Sequence, residues 1–286
     1  MNYDFSTRVN RKNRGNLKDM FYTVDSVRKK ELVSFAGAEF EFKTAPAIIN
    51  AIKETAENGL FGFTVADENY FGHVVWWMKN VRGAKILPEW ILPVQGTIFS
   101  AATAIRLLTK KGDGIIALKP GYSRYEQAAS RLERKMVLVP MKSTKGLLSI
   151  DLYLLEKAMR ESENKMFLFS NPNNPTGQII SAETLQSILT LARKYKVALW
   201  SDEIFADVDL KGDGVPMLAA LADKDDMAIT VTSLGKTFSL TGMNHANVII
   251  RNQDLRERYR IQRDRDHFGS IDPTAYAALC GGYSPE

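Results

Sequence analysis

The chain has 286 residues, 45% of them hydrophobic and 25% charged, which is enough for one large globular domain or two smaller ones. Its net charge of +5 comes from 38 basic and 33 acidic side chains that alternate along the chain without a nucleic-acid-binding motif, so we expect no nucleic-acid partner. The single cysteine, Cys280, excludes an internal disulfide and a cysteine-based zinc site, and the lack of a long apolar run or a signal sequence predicts a cytoplasmic protein with no membrane partner.

Helical patterns come first in the chain and then recur between short apolar runs. The predicted helices cover residues 44–58, with Pro46 near the start and Gly59 after the end, about 67–80, 97–110, and 181–196, with Ser181 as N-cap.

Seven apolar runs are predicted to be strands, because strands buried on both faces are continuously apolar. They are WILPV (90–94), GIIAL (114–118), KMVLV (135–139), KMFLFS (165–170), VALWS (197–201), MAITVT (227–232) and NVIIR (247–251). The alternation of strands and helices predicts an α/β fold with a seven-stranded, mostly parallel sheet and helices on both faces.

Polar side chains follow three of these strands at the carboxyl end, where open α/β sheets bind ligands. Asn174 lies in NPNNPTGQ, Asp202 directly follows VALWS, and Lys236 lies with Ser233 in TSLGKTFSLTG. Each also has an ordinary interpretation, as a loop residue, a helix cap or a surface charge. A phosphate-binding P-loop is excluded for Lys236, because that motif needs a glycine where the chain has Thr230.

Two further strand ends supply an anion site and an aromatic ring. Gly96, Thr97 and Ile98 begin a helix and present backbone N–H groups that suit a phosphate. Tyr122 lies on a turn after GIIAL, with a buried core tyrosine as the alternative interpretation. An amine, a carboxylate, an amide, a ring and a phosphate site together match what pyridoxal 5′-phosphate needs from a protein. The residues therefore predict a site for this cofactor.

The motifs GLFGFT, VQGTIFSA, NPNNPTGQ, SDEIF and SLGKTFSLTGMNHANVII occur in this order. In this the chain resembles the fold-type I pyridoxal-phosphate enzymes of the class I/II aminotransferase superfamily, and most of all the MalY/PatB-like cystathionine β-lyase branch. The resemblance implies that Lys236 bonds to the cofactor aldehyde, that Asp202 pairs with the ring nitrogen and that Asn174 binds the ring hydroxyl. It also implies that Tyr122 stacks on the ring, and it assigns the phosphate to Gly96, Thr97, Ile98 and Ser233.

Several positions depart from the pattern of that family. Phe63 replaces a tyrosine, Phe205 a tyrosine or histidine, Gly235 a serine and Gly37 an aspartate. Each change removes a polar contact worth on the order of 1 kcal/mol. Asn244 stands where many aminotransferases have an arginine, which favours the lyase branch.

The resemblance implies a carbon–sulfur β-lyase that acts on cystathionine- or cysteine-type amino acids and yields pyruvate, ammonia and a thiol. Lys236 would move the α-proton. Two alternatives stay open, a class I/II aminotransferase and a shortened, catalytically silent protein of the same fold. The resemblance also implies a homodimer.

The same resemblance divides the chain into three parts. Residues 1–45 would form an N-terminal arm, residues 46–275 the cofactor-binding large domain, and residues 276–286 the start of a small domain that is largely missing. Relatives continue beyond TAYAALCGGYSPE, and we expect their additional segment to supply the arginine that grips the substrate carboxylate.

Overall fold

The computed structural model describes residues 3–11, 14–18, 37–267 and 269–285. The predicted N-terminal arm therefore lies partly outside the described residues. The described part of the chain forms, in order, α1 (Pro46–Asn58), α2 (Glu68–Asn80), β1 (Ile91–Val94), α3 (Thr97–Leu108), β2 (Gly114–Lys119), α4 (Ser123–Arg131), β3 (Lys135–Pro140), β4 (Lys142–Thr144), β5 (Leu147–Ser149), α5 (Leu152–Arg160), β6 (Asn164–Ser170), α6 (Ala182–Tyr195), β7 (Ala198–Asp202), α7 (Leu218–Leu221), β8 (Ala228–Thr232), α8 (Leu234–Thr237), β9 (Ala246–Ile249), α9 (Gln253–Arg265) and α10 (Pro273–Gly282).

Seven of the described strands form one sheet in the order β1-β9-β8-β7-β6-β2-β3. The pairs are parallel except those of β9, which runs antiparallel to β1 and β8. Ser170 lies opposite Asp202, and Asp202 lies opposite Val231, so β6, β7 and β8 end side by side. The strands other than β9 thus end at one side of the sheet, which we call the carboxyl edge. The predicted α/β fold with a seven-stranded, mostly parallel sheet is confirmed.

Helices cover both faces of this sheet. Ile115 packs in a cluster with Ile105 of α3 and Tyr259 of α9. Its neighbour Ile116 faces the other way and packs in a second cluster with Leu155 of α5 and Ile188 of α6. Full burial of one such side chain stabilises the fold by about 1.5–3 kcal/mol. Burial on both faces explains why the strands are apolar without alternation.

The ends of the predicted helices have identifiable causes. The α1 helix ends where Gly59 takes a left-handed conformation with φ 68°. Asp67 caps α2 by accepting a hydrogen bond from the Tyr70 amide, and Ser181 caps α6 by accepting one from the Thr184 amide. Each of these contacts satisfies an N–H group that has no partner inside its helix. The predicted helices are confirmed to within about two residues at each end.

The last described helix, α10, crosses the predicted domain boundary between residues 275 and 276. Ala275 and Leu279 pack in the same apolar cluster as Ile48 of α1 and Tyr70 of α2. The division into domains stays a prediction. Within the described residues, no helix combines the length and the apolarity that a membrane crossing requires.

Candidate active site

The predicted site residues lie at the carboxyl edge of the sheet. Residues 96–98 follow β1, and Tyr122 follows β2. Asn174 follows β6, Asp202 ends β7, and Lys236 lies in the short helix α8 after β8. The structure therefore places at one edge the groups that are spread over 140 residues of sequence, from Gly96 to Lys236.

Asp202 is a buried carboxylate with one strong internal hydrogen bond. Its side chain is held by the Tyr125 hydroxyl, which donates to Oδ2 at 2.7 Å, and by the Ile204 amide, which donates to Oδ1 at 3.2 Å. Only 4% of the residue is exposed. Burial raises the pKa of Asp202 to about 6, and the Tyr125 and Ile204 hydrogen bonds and the charge of Lys236 oppose that rise. A buried carboxylate of this kind is stabilised by a cation placed beside it.

Lys236 is half-buried in α8, and its amine has weak contacts. Its Nζ atom lies 3.5 Å from the carbonyl oxygen of Gly37 and 3.4 Å from Oγ1 of Thr241. The amine also lies over the Phe205 ring, 5.6 Å from its centroid. Burial lowers the pKa of Lys236 below its usual value, while the charges of Glu39 and Asp202 act in the opposite direction. A lowered pKa leaves more of the amine neutral, which is the form that reacts with an aldehyde.

A pocket beside Asp202 contains the predicted ring, Tyr122, whereas the predicted amide residue, Asn174, does not line it. Tyr122 and Tyr125 line it with Ser170 and Asn173, and the two tyrosine rings are nearly perpendicular with centroids 5.3 Å apart. The backbone of Asn174 donates to Ser170 Oγ at 2.8 Å. The Asn174 side-chain amide has no hydrogen-bond partner among the described residues.

Tyr125 is a site residue that the sequence analysis missed. It lies three positions after Tyr122, which is the N-cap residue of α4, and Tyr125 itself lies in the first turn of that helix. That spacing was the available signal. Its partner, Asp202, is 77 residues further along the chain and no local pattern connects the two.

The predicted anion site begins at a glycine that no other residue can replace without strain. Gly96 has φ 106° and ψ 160°, and it directly precedes α3. A Cβ atom there would lie 3.6 Å from the Phe99 ring and 3.8 Å from the carbonyl carbon of Asn244. The first N–H groups of α3, at Thr97 and Ile98, have no partner within the helix, and the helix dipole places positive charge there. This arrangement can bind a phosphate.

Ser233 is already occupied by protein partners. Its hydroxyl donates to the carbonyl oxygen of His245 at 2.6 Å and accepts from the Gly235 amide at 3.0 Å, so it caps α8. The hydroxyl proton would have to turn away from His245 to reach a phosphate. The phosphate contact of Ser233 stays a prediction.

A buried polar cluster lies behind Ser233. The Tyr70 hydroxyl donates to Oδ1 of Asn247 at 2.7 Å and lies 2.6 Å from Nε2 of His245. Since the one hydroxyl proton goes to Asn247, the tyrosine oxygen accepts the hydrogen of His245 Nε2. Burial lowers the pKa of His245 to about 4, so the imidazole is neutral at physiological pH.

Residues 30–281 match the family Aminotransferase class I and II, and the chain therefore belongs to that family. It is 29% identical over 248 residues to the cystathionine beta-lyase PatB of Bacillus subtilis (strain 168), covering 86% of this chain and 64% of that protein. It is 24% identical over 264 residues to Protein MalY of Escherichia coli (strain K12), covering 92% of this chain and 67% of that one. The chain thus spans about two thirds of the length of these curated relatives.

The chain is also similar to a solved structure of a protein that contains pyridoxal 5′-phosphate. The crystal structure of cystalysin from Treponema denticola, which contains a pyridoxal 5′-phosphate cofactor, superposes with a TM-score of 0.93 at 34% identity. The match covers 99% of this chain and 72% of that one. The predicted family and the predicted resemblance to its MalY/PatB-like branch are confirmed.

Proposed function

We propose that the chain binds pyridoxal 5′-phosphate at the carboxyl edge and that it is a carbon–sulfur β-lyase for cystathionine- or cysteine-type amino acids. The observation that carries the proposal is a half-buried amine with a lowered pKa, Lys236, beside a buried carboxylate, Asp202, at the ends of neighbouring strands. Each perturbs the other's ionisation, as catalytic pairs do.

The side chains at the carboxyl edge fit this cofactor. Lys236 would form the covalent bond to the aldehyde, and Asp202 would pair with the protonated ring nitrogen, the cation that its buried position favours. The unpartnered amide of Asn174 would donate to the ring hydroxyl oxygen, and Tyr122 would stack on the ring. The phosphate would lie at Gly96 and the N-terminus of α3, with the hydroxyl of Ser233.

The bound cofactor supplies an electron-withdrawing ring that stabilises negative charge at the α-carbon of an amino acid. The protein residues supply the rest. The amine of Lys236, freed from the aldehyde when the amino group of the substrate takes its place, would accept the α-proton as general base. Asp202, kept ionised by the Tyr125 hydrogen bond, would hold a proton on the ring nitrogen. A thiolate would leave from the β-carbon of the substrate, and hydrolysis of the remainder would yield pyruvate and ammonia.

Two observations favour the lyase over the aminotransferase alternative. The curated relative PatB is named a cystathionine beta-lyase, and cystathionine carries its leaving thiolate on the β-carbon. Position 244 is Asn, in the left-handed conformation with φ 47°, where many aminotransferases have an arginine. The family description also supports the aminotransferase alternative. The same lysine can move the proton in both reactions, so its presence does not distinguish them.

A homodimer is part of the proposal. The segment of residues 59–66 exposes Leu60, Phe61, Phe63 and Val65 in succession, and exposed apolar residues concentrated in this way are typical of an interaction surface. Light scattering of the purified protein measures the mass directly. The cytoplasmic location and the three-part domain division remain proposals of the same kind.

The first test is covalent trapping of the cofactor. We expect a visible absorbance band when pyridoxal 5′-phosphate is added, and after borohydride reduction we expect mass spectrometry to find the cofactor on Lys236. Lys236→Ala should lose both signals, while the matched variant of a surface lysine, Lys194→Ala, should keep them. If the cofactor is trapped equally well in Lys236→Ala, Lys236 is not the residue that bonds to it.

The second test separates the three functional readings. Release of pyruvate and thiol from cystathionine without an added keto acid indicates a lyase. Activity that requires a keto acid indicates an aminotransferase. A trapped cofactor without either activity indicates the silent protein and would contradict the proposed reaction.

A further inference from the structure

A pair of opposite charges is completely buried on the other face of β7. Arg82 lies just beyond the end of α2, and its Nη2 atom is 3.0 Å from Oε2 of Glu203. The two side chains are 3% and 0% exposed. Glu203 directly follows Asp202, the last residue of β7, and the two neighbouring acids point to opposite sides of the sheet, Asp202 toward Tyr125 and Glu203 toward Arg82.

Glu203 has a full set of partners. Its Oε1 atom accepts from the Ser201 hydroxyl at 3.1 Å and from the Leu218 amide at 2.9 Å. Burial raises the pKa of Glu203, and the charge of Arg82 opposes that rise. The end of β7, and with it Asp202, is therefore tied to the start of α7 and to Arg82.

Asp207 connects this pair to the helix that carries the lysine. Its Oδ1 atom lies 3.9 Å from Arg82 Nε, and its Oδ2 atom accepts from the Thr237 hydroxyl at 2.7 Å and from the Trp77 indole N–H at 3.3 Å. Thr237 is the residue next to Lys236. We call Arg82, Glu203 and Asp207 the charged network.

We propose that the charged network is a positioning device that fixes Lys236, through the Asp207–Thr237 hydrogen bond, relative to Asp202. The α8 helix has only four residues. A single helical turn is not stable by itself, so its orientation must come from contacts outside it. One of these contacts is the Ser233 cap at its start, and the Thr237 hydroxyl provides another at its end. The inference rests on the proposed role of Lys236 as the cofactor anchor.

The position of the amine is what the network would control. Among the described residues, Lys236 Nζ has long hydrogen bonds to Gly37 and Thr241 and lies over the Phe205 ring, and these contacts are too weak to hold it alone. The charged groups that face it are Asp202 and Glu39. If α8 is free to turn, the amine becomes more hydrated, and its pKa returns toward that of an ordinary lysine.

Thr237 is the residue to change, because removal of one member of a buried ion pair would destabilise the whole fold. Thr237→Val keeps the shape and removes the hydroxyl, and Thr237→Ser restores the hydroxyl. Thr109→Val is the matched control. The Thr109 hydroxyl also makes a short buried bond, to the Ile105 carbonyl at 2.6 Å, and it accepts from Arg134 Nε at 2.9 Å, but it lies at the end of α3 away from Lys236. If Thr237→Val does not fold, Thr237→Ala provides the same comparison.

The experiment measures the amine directly, without cofactor. Trace acetylation with acetic anhydride over a range of pH, followed by mass spectrometry, yields the pKa of Lys236. We expect Thr237→Val to raise that pKa by about half a unit or more and to weaken pyridoxal 5′-phosphate binding about tenfold. Thr237→Ser should behave as wild type, and so should Thr109→Val.

The inference is overturned if Thr237→Val, folded by circular dichroism, has the wild-type acetylation profile. It is also overturned if Thr237→Ser shifts the profile as far as valine does, or if Thr109→Val shifts it equally. A wild-type chain that binds no pyridoxal 5′-phosphate would refute the proposed function, but the acetylation profiles would still decide the positioning role.

Discussion

Replacement of Tyr125 by phenylalanine should destabilise the protein by an amount that depends on pH. The Tyr125 hydroxyl donates to the buried Asp202 carboxylate at 2.7 Å, and no other side chain forms a hydrogen bond to that carboxylate among the described residues. Tyr125→Phe removes this donor and changes the shape of the core very little. What it costs therefore depends on whether Asp202 is ionised.

The magnitude follows from the ionisation of Asp202. A hydrogen bond to a charged group contributes about 1.5–3 kcal/mol, and one to a neutral group about 1 kcal/mol. Burial raises the pKa of Asp202 to about 6, so the carboxyl is mostly protonated at about pH 5 and ionised at about pH 8. We expect Tyr125→Phe to lower the free energy of unfolding by about 1 kcal/mol at the lower pH and by about 2–3 kcal/mol at the higher one.

The sign agrees with proton linkage. The folded pKa of Asp202 lies above the value of about 3.9 expected in the unfolded chain, so the folded state holds a proton that the unfolded state has lost. Stability contributed by this group therefore falls as pH rises from about 4 through about 6. Loss of the Tyr125 donor raises the folded pKa further and extends the fall to higher pH.

The assay is urea unfolding of the cofactor-free protein at the two pH values, with Tyr259→Phe as control. The Tyr259 hydroxyl is equally buried and donates at 3.0 Å to the carbonyl oxygen of Ser100, which does not titrate. Its loss should cost the same at both pH values. Equal costs for Tyr125→Phe at both pH values would refute the proposed ionisation of Asp202.

Three further predictions concern the surroundings of the proposed phosphate site and of α8. Gly96→Ala should cost about 1–3 kcal/mol in urea unfolding, because φ 106° and ψ 160° suit only glycine; a cost near zero would show that the backbone relaxes. Ser233→Ala should cost about 1 kcal/mol through loss of the α8 cap and, if the hydroxyl also binds the phosphate, weaken cofactor binding about tenfold; unchanged affinity would remove Ser233 from the phosphate site. The folded pKa of His245, about 4, lies below its unfolded value, so the wild type should lose up to about 3 kcal/mol more than His245→Gln as pH falls from about 6.5 to about 4; parallel stability curves would contradict this.

The sheet was largely predictable from the sequence. Runs such as GIIAL and KMFLFS are apolar at consecutive positions, a pattern that arises when both faces of a strand are covered. The direction of β9 was not predictable, because NVII would be equally apolar in a parallel strand. The β4–β5 hairpin was missed as well, because its strands are three residues each and largely exposed.

The site was predictable to the extent that its residues follow strands. Asp202 and Lys236 could be found because Asp202 comes directly after one buried run and Lys236 shortly after another, at an edge where α/β sheets bind ligands. Tyr125 and Arg82 could not be assigned in this way. They act through partners 77 and 121 residues away in sequence, and only the folded chain brings those partners together.

The end of β7 has a consequence for how the sequence can change. Asp202 lies on the side of the sheet where Tyr125 and the proposed cofactor site are, and Glu203 lies on the opposite side with Arg82. Because side chains alternate along a strand, deletion of one residue upstream within β7 would shift both acids by one position and turn each to the other side of the sheet. Glu203 would then enter the space of Asp202, and Arg82 would face Ile204 in place of its acidic partner. A substitution can alter the surroundings of one acid and leave those of the other unchanged. An insertion or deletion in this strand would disrupt both sides of the sheet in a single event.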